Sequence, residues 1–270
     1  MPDDAAATAQ LFLRDSERLV GLEGSPNFRD AGGYASSDGE ILSRGNIFRS
    51  GHLAQLTDAD TQRLAALRLE LICDLRREDE QRHEPSIIPA GAELMSAPIT
   101  PGSQSSAIYA DATQLGGVQS MFDFMCDINR EFVESQSDNY RAVFGRLLES
   151  CATRVLFHCS AGKDRTGFVV AMLQLALGVS QADIEADYLL SRLYYLPEEQ
   201  IARVRIKYPV DHLSDEALLP MMSADIRYLH SALDAVDRHY PSRDAFLQMA
   251  LGLGVSERRE LRRRFVRSAG

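Results

Sequence analysis

The chain has 270 residues, 45% of them hydrophobic, which is enough to bury a sizeable core as one large domain or two small ones. Acidic residues outnumber basic ones 39 to 29, and the net charge of −10 argues against a general nucleic-acid binder, whose surface must compete for counterion-coated phosphates. Cys73, Cys126, Cys151 and Cys159 show no C-x-x-C spacing and are too few for a disulfide scaffold, so reduced thiols in a cytosol-like compartment are expected.

The opening stretch MPDDAAATAQLFLRDSERLV has early acids and no basic region ahead of an apolar run. It reads as a loosely held arm over residues 1–20, and the expected location is cytoplasmic, or secreted without a recognisable signal peptide. After it, SPNFRDAGGY contains the bend Gly32-Gly33, and Gly39 and Gly45 bracket the short strand Ile41-Leu42 before a second at Ile47-Phe48. Thr57 to Asp60 predicts a capped helix start, with Leu64, Leu67 and Leu71 on one face.

Leu69 to Leu75 and Arg154 to Phe157 predict buried strands and Glu93 to Ile99 a weaker one, separated by helical spacing over Met121 to Val133 and Tyr140 to Leu148. Strands alternating with helices imply an α/β class, with a central, mainly parallel sheet flanked by helices and its site at the carboxyl ends of the strands. The longest apolar run, Phe168 to Leu177, contains Gln174 and falls short of the roughly 20 residues of a membrane span, so no stable membrane insertion is expected. The remainder reads as largely helical, with starts at Ser180, Ser223, Ser242 and Ser256. Tyr194 to Met222, punctuated by Pro197, Pro209 and Pro220, breaks that series and marks a candidate insertion.

Residues 158–167 read HCSAGKDRTG between an apolar strand and a long helix. A strand, a tight loop containing Gly162 and a helix N-terminus together form an anion cradle, because backbone N–H groups converge there and the helix dipole favours negative charge. Cys159 sits at its mouth, where that field favours the thiolate, the nucleophilic form. Arg165 can hold two phosphate oxygens, and Thr166 can donate a hydroxyl hydrogen bond to the sulfur as it leaves. Ser160, Ala161, Gly162, Lys163, Asp164, Arg165 and Thr166 are the expected phosphate binders, with no metal and no cofactor. His158 is expected to brace the loop.

This stretch resembles the signature loop of the cysteine-dependent protein tyrosine phosphatase superfamily, and its Gly-Lys-Asp-Arg form resembles a bacterial and fungal branch. NFRDAGGY (27–34), RGNIFRSGH (44–52), DLRREDE (74–80) and ADYLLS (186–191) are similar to that branch in order and spacing, over roughly residues 20–265. The resemblance implies a tyrosine-phosphatase-like single domain over 21–270, with 194–222 as a candidate helical lid. It implies functional roles for Cys159, Lys163, Asp164 and Arg165. The implied substrates are phosphotyrosine proteins, with phosphoserine, phosphothreonine and phosphoinositide as side activities.

The proton donor stays open. Most relatives carry it in a Trp-Pro-Asp loop, and this chain has no tryptophan. Asp164 in the cradle, Asp74 at the end of LELICDL and Asp127 in FMCDINREF compete. Lys163 offers a second cation for a substrate with more than one phosphate. Asn27, Arg29 and Asp30 are expected to bracket the loop from behind, with Arg49 and Ser50 in a similar role. Cys73 is a core residue or a redox partner of Cys159. The run ERRELRRRFVR (257–267) reads as a solvated face or a salt-bridge partner, with anionic lipid as the lesser alternative. A silent phosphate-binding module and a rhodanese-type sulfurtransferase are the rival functions.

Overall fold

The computed structural model describes residues 17–101, 117–207 and 211–268. Of the arm expected over 1–20, residues 1–16 lie outside the described residues; beyond them, Leu19 bridges to Arg29 and the Arg18 guanidinium donates to the Gly32 carbonyl and lies over the Tyr34 ring.

A five-stranded sheet organises the described residues: β1 (Arg29–Asp30), β3 (Ile47–Ser50), β6 (Val155–His158), β4 (Leu71–Asp74) and β5 (Glu93–Ser96), in that spatial order. All neighbours are parallel except β1 and β3. Strand β6 lies at the centre. Its residues are buried on both faces and alternate between two cores, Val155 and Phe157 facing the larger cluster and Leu156 the smaller. The same period of two runs through β4, where Leu71 and Cys73 face the larger cluster and Ile72 the smaller, as a parallel sheet covered on both sides requires. A separate antiparallel pair joins β2 (Ile41–Leu42) to β7 (Val266–Arg267).

Helix α1 (Asp58–Ala66) starts with a reciprocal cap: Thr57 Oγ1 accepts from Asp60 N at 3.1 Å, and the Asp60 carboxylate accepts from Thr57 N at 3.1 Å. Leu71 does not continue its apolar face. The helix stops at Ala66, Arg68 takes a left-handed φ of 52°, and Leu71 opens β4 instead. Two helix starts also differ from expectation. Asp225, not Ser223, caps the helix Ile226–His239, its Oδ1 accepting from Arg227 N at 2.9 Å, while Ser223 ends the preceding helix. Gly254, not Ser256, precedes the helix Val255–Phe265.

Between β4 and β6 run the short α2 (Glu78–His83), α3 (Val118–Glu134) and α4 (Ser137–Ser150). After β6 come α5 (Asp164–Ala176), α6 (Gln181–Leu189), α7 (Ser191–Tyr194), α8 (Pro197–Lys207) and α9 (Asp215–Met222). The arginine run is tied down internally: Arg262 pairs with Asp38 and Glu40, Arg258 with Asp244, and Arg264 with Glu260. Among the described residues, no helix is long and apolar enough to cross a membrane.

Candidate active site

Strand β6 delivers His158 to the carboxyl edge of the sheet, and α5 begins at Asp164, so residues 159–163 must turn within five positions. Gly162 makes this possible. Its φ is 67°, and a Cβ there would lie 2.3 Å from the Ser50 carbonyl carbon, inside any real contact.

The outer side of the loop is braced by side chains from distant segments. Asn27 Nδ2 donates to the carbonyls of Ala161 (3.1 Å) and Gly162 (2.9 Å). Arg49 Nη2 donates to Gly162 O (2.9 Å) and Lys163 O (3.3 Å), and His52 N donates to Ser160 O at 3.1 Å. In a trans peptide the following N–H points opposite to the carbonyl. With four successive carbonyls turned outward and no cis bonds, the N–H groups of residues 161–164 are directed to the inner side.

Behind this bracket lies the buried carboxylate of Asp187, 2.6 Å from Arg49 Nη1 and 3.7 Å from Arg29 Nε. Burial alone would raise its pKa, but the Arg49 and Arg29 guanidiniums override that and hold it below the usual carboxylate range. Ser191 Oγ accepts from both Asn27 and Arg29 at 3.2 Å. NFRDAGGY and ADYLLS thus meet behind the loop. Asp30 does not touch it: its carboxylate accepts from Gly32 N (2.8 Å) and Gly45 N (2.6 Å), and Ser50 Oγ donates to Gly51 O.

Cys159, Ser160, Ala161, Lys163, Asp164 and Arg165 line one side of a cavity of about 130 Å³. Arg165 is steered by a residue the sequence reading passed over. Its Nη1 donates to Glu80 Oε2 at 2.7 Å, Ser160 Oγ donates to Glu80 Oε1 at 2.6 Å, and the Glu80 carboxylate is fully enclosed. The only sequence signal was Glu80's place at the end of DLRREDE. Thr166 Oγ1 is buried without a hydrogen-bond partner among the described residues, so the bond expected to the Cys159 sulfur is not made.

The candidate acids occupy different settings. Asp164 lines the cavity, 17% exposed, and accepts from Tyr188 Oη at 3.2 Å. Asp74 is locked by Arg76, whose Nε and Nη2 donate to it at 2.9 and 2.6 Å, with Ser86 Oγ at 3.2 Å. Its burial acts to raise the pKa, yet His158 and Arg76 outweigh it and keep the carboxyl low. Asp127 is half-exposed on α3 and pairs with Arg130 at 2.7 Å.

His158 lies 3.5 Å from Asp74 Oδ2, and burial, partly offset by Asp74, lowers its pKa to about 4, so the ring is neutral near pH 7. Lys163 is enclosed too. Its ammonium donates to Met221 O (2.6 Å) and Ser223 O (2.7 Å) at the C-terminal end of α9 and lies 3.4 Å from Asp164. Cys73 pairs with Phe157 in the sheet, and burial pushes its thiol up, away from the thiolate that disulfide exchange needs. All four cysteines are free.

The far side of the cavity comes from α3 and from the stretch 194–222. Phe124, Met125, Ile128 and Phe132 face Tyr195, Gln200, Arg203, Val204, Met221 and Met222. Helix α8 is held at this mouth by Arg203, which pairs with Glu84 and reaches His52 and Gln55. Among the described residues no cluster of three or more His, Cys, Asp or Glu could hold a metal ion.

A family model described as the tyrosine phosphatase family matches residues 20–267. The chain belongs to the tyrosine phosphatase family. It is 31% identical over 235 residues to a Cupriavidus necator protein provisionally named a tyrosine-protein phosphatase, covering 86% of this chain and 84% of that one. It is 29% identical over 270 residues to the triple specificity protein phosphatase PtpB of Mycobacterium tuberculosis, covering 87% and 94%. A tyrosine-protein phosphatase of Nostoc commune shares 31% over 147 residues, about half of each chain. Membership decides among the three functions left open by the sequence: the protein is a phosphatase, with an α/β fold of the tyrosine-phosphatase kind.

Proposed function

We propose that this phosphatase transfers the phosphoryl group of a phosphotyrosine protein to Cys159 and then to water, without a metal. The observation that carries the reading is the joint placement of Cys159, Asp164 and Arg165 on one wall of the cavity, with the carbonyls of residues 160–163 braced away from it. In the first step the Cys159 sulfur forms a bond to phosphorus as the ester P–O bond breaks, and Asp164 gives its proton to the leaving oxygen. Arg165 and the inward N–H groups hold the three non-bridging oxygens. In the second step water attacks phosphorus, returns a proton to Asp164, and the S–P bond breaks.

Asp164 is preferred as the acid because a donor must reach the substrate, and Asp164 lines the cavity beside Cys159 and Arg165. Asp74 does not: Arg76 locks its carboxylate from two nitrogens, and it is not among the cavity-lining residues. Residues 21–270 act as one catalytic unit in this reading, with α8 and α9 as its lid. Lys163 joins substrate binding only by leaving the lid carbonyls, which is the condition for phosphoinositide hydrolysis. The triple specificity named for PtpB supports more than one kind of phosphate ester as substrate.

Turnover of p-nitrophenyl phosphate in the presence of a chelator tests the reading. Wild type is expected to turn over and Cys159→Ser to bind vanadate without turnover. Equal turnover by the two would overturn it.

A further inference from the structure

Asp164 opens α5, and an aspartate in a first helical turn is drawn to the unpaired N–H groups of that turn. Its carboxyl is instead held from outside the helix. Tyr188 Oη donates to Oδ1 at 3.2 Å, and Lys163 Nζ lies 3.4 Å from Oδ2.

Three features fix the phenol in place. Asp187, the preceding residue of α6, pairs with Arg49 at 2.6 Å, so the helix that carries Tyr188 is anchored to the bracket behind the loop. Gly167, in the first turn of α5, leaves room for the ring: a Cβ there would lie 2.7 Å from Tyr188 Cε2. The ring is 1% exposed, and burial first, with the neighbouring Asp164 second, pushes the phenol well above its ordinary pKa of 10, so it keeps its hydrogen and remains a donor. Tyr140 and Tyr228, also buried, give their hydrogens to the carbonyls of Arg165 (3.3 Å) and Pro220 (3.0 Å).

Resting on the reading of Asp164 as the acid, we infer that Tyr188 is a positioning residue for the proton transfer, its phenol holding the Asp164 carboxyl towards the leaving oxygen. While the carboxyl carries its proton, the bond joins two neutral groups. Once the proton has passed to the leaving oxygen, the same bond has an ionised acceptor and is roughly twice as strong. Its gain therefore falls in the transition state, and it acts on the rate of the step, not on phosphate binding. Tyr188 does not line the cavity, so it reaches the substrate only through Asp164.

Tyr188→Phe keeps the ring against Gly167 and removes only the hydroxyl. The test measures kcat/KM for phenyl phosphate and for p-nitrophenyl phosphate, together with vanadate affinity, in wild type, Tyr188→Phe, Asp164→Asn and the double variant. Tyr188→Phe is expected to lower the value for phenyl phosphate about tenfold, to change that for the nitrophenyl ester less than about threefold, and to leave vanadate affinity unchanged. In the Asp164→Asn background, loss of the hydroxyl is expected to cost less than about twofold, because a residue that works only through Asp164 has nothing left to act on. An equal fall for both esters, the same fall in both backgrounds, no fall, or lost vanadate binding would each overturn the role and leave Tyr188 as a packing residue. Asp164→Asn that slows both esters alike would overturn the acid assignment instead, and wild type that hydrolyses neither ester would overturn the phosphatase reading.

Discussion

Glu80 and Arg165 form an ion pair between the segment that follows β4 and the start of α5, 2.7 Å from Oε2 to Nη1, with the carboxylate wholly enclosed. The same carboxylate accepts from Ser160 Oγ and from Arg77 N. One buried acid therefore fixes both the guanidinium and the rim of the loop. Glu80→Gln keeps the volume but places an amide N–H₂ against donors. Expected are a fall in kcat/KM of about tenfold to a hundredfold and a matching loss of vanadate affinity, corresponding to about 1.5–3 kcal/mol for a charged hydrogen bond. Titration with vanadate checks this; a lowered Tm with unchanged vanadate affinity would mean that Glu80 only stabilises the fold.

The assignment of the proton donor makes two aspartates behave differently. Asp164→Asn is expected to slow a substrate with a poor leaving group by about a hundredfold or more, and one with a good leaving group far less. Asp74→Asn should lower both alike, through a disturbed Arg76 and His158. The comparison is kcat for phenyl phosphate against a nitro-substituted aryl phosphate.

Protonation of His158 links stability to pH. Its folded pKa of about 4 lies below the ordinary value of 6.5, so the unfolded chain binds the proton more tightly. The contribution is fully present above about pH 6.5 and is lost as pH falls towards 4, a window above the one in which the low carboxyls Asp74 and Asp187 titrate. Chemical denaturation between pH 7.5 and 4.5 should therefore show a slope of up to one proton taken up on unfolding, removed in His158→Asn. An unchanged slope in that variant would assign the acid sensitivity elsewhere.

Lys163 donates its ammonium hydrogens to two carbonyls at the C-terminal end of α9, those of Met221 and Ser223. Lys163→Met preserves the length of the side chain but deletes both bonds, each worth about 1.5–3 kcal/mol when the donor is charged. Helices α8 and α9 should then become more open to limited proteolysis and hydrogen exchange, and KM should rise by more than kcat falls. Unchanged protection would show that Arg203 and the apolar contacts suffice to hold α8 and α9.

The strand, turn and helix around Cys159 were legible because strand, cysteine, glycine, arginine and helix follow within ten residues. The bracket was legible in part. Asn27 and Arg49 reach the loop as expected, whereas Asp30 binds the neighbouring turns, because a two-residue strand sends consecutive side chains to opposite faces. Asp187 and Ser191 lie some thirty residues beyond the loop, and only the packing of α6 and α7 brings them behind it. Phe124, Met125 and Ile128 carry an ordinary helical stripe, and nothing in that pattern distinguishes a wall facing a cavity from a core face. Leu71 shows the same limit locally: its spacing suited the helix, but the left-handed turn at Arg68 moved it into the sheet.

The most direct measurement is rapid acid quenching of wild type during turnover of an aryl phosphate, followed by peptide mass spectrometry. The account predicts phosphate on Cys159, formed in a burst and enriched when water attack is slowed. Phosphate release with Cys159 unlabelled throughout would contradict it.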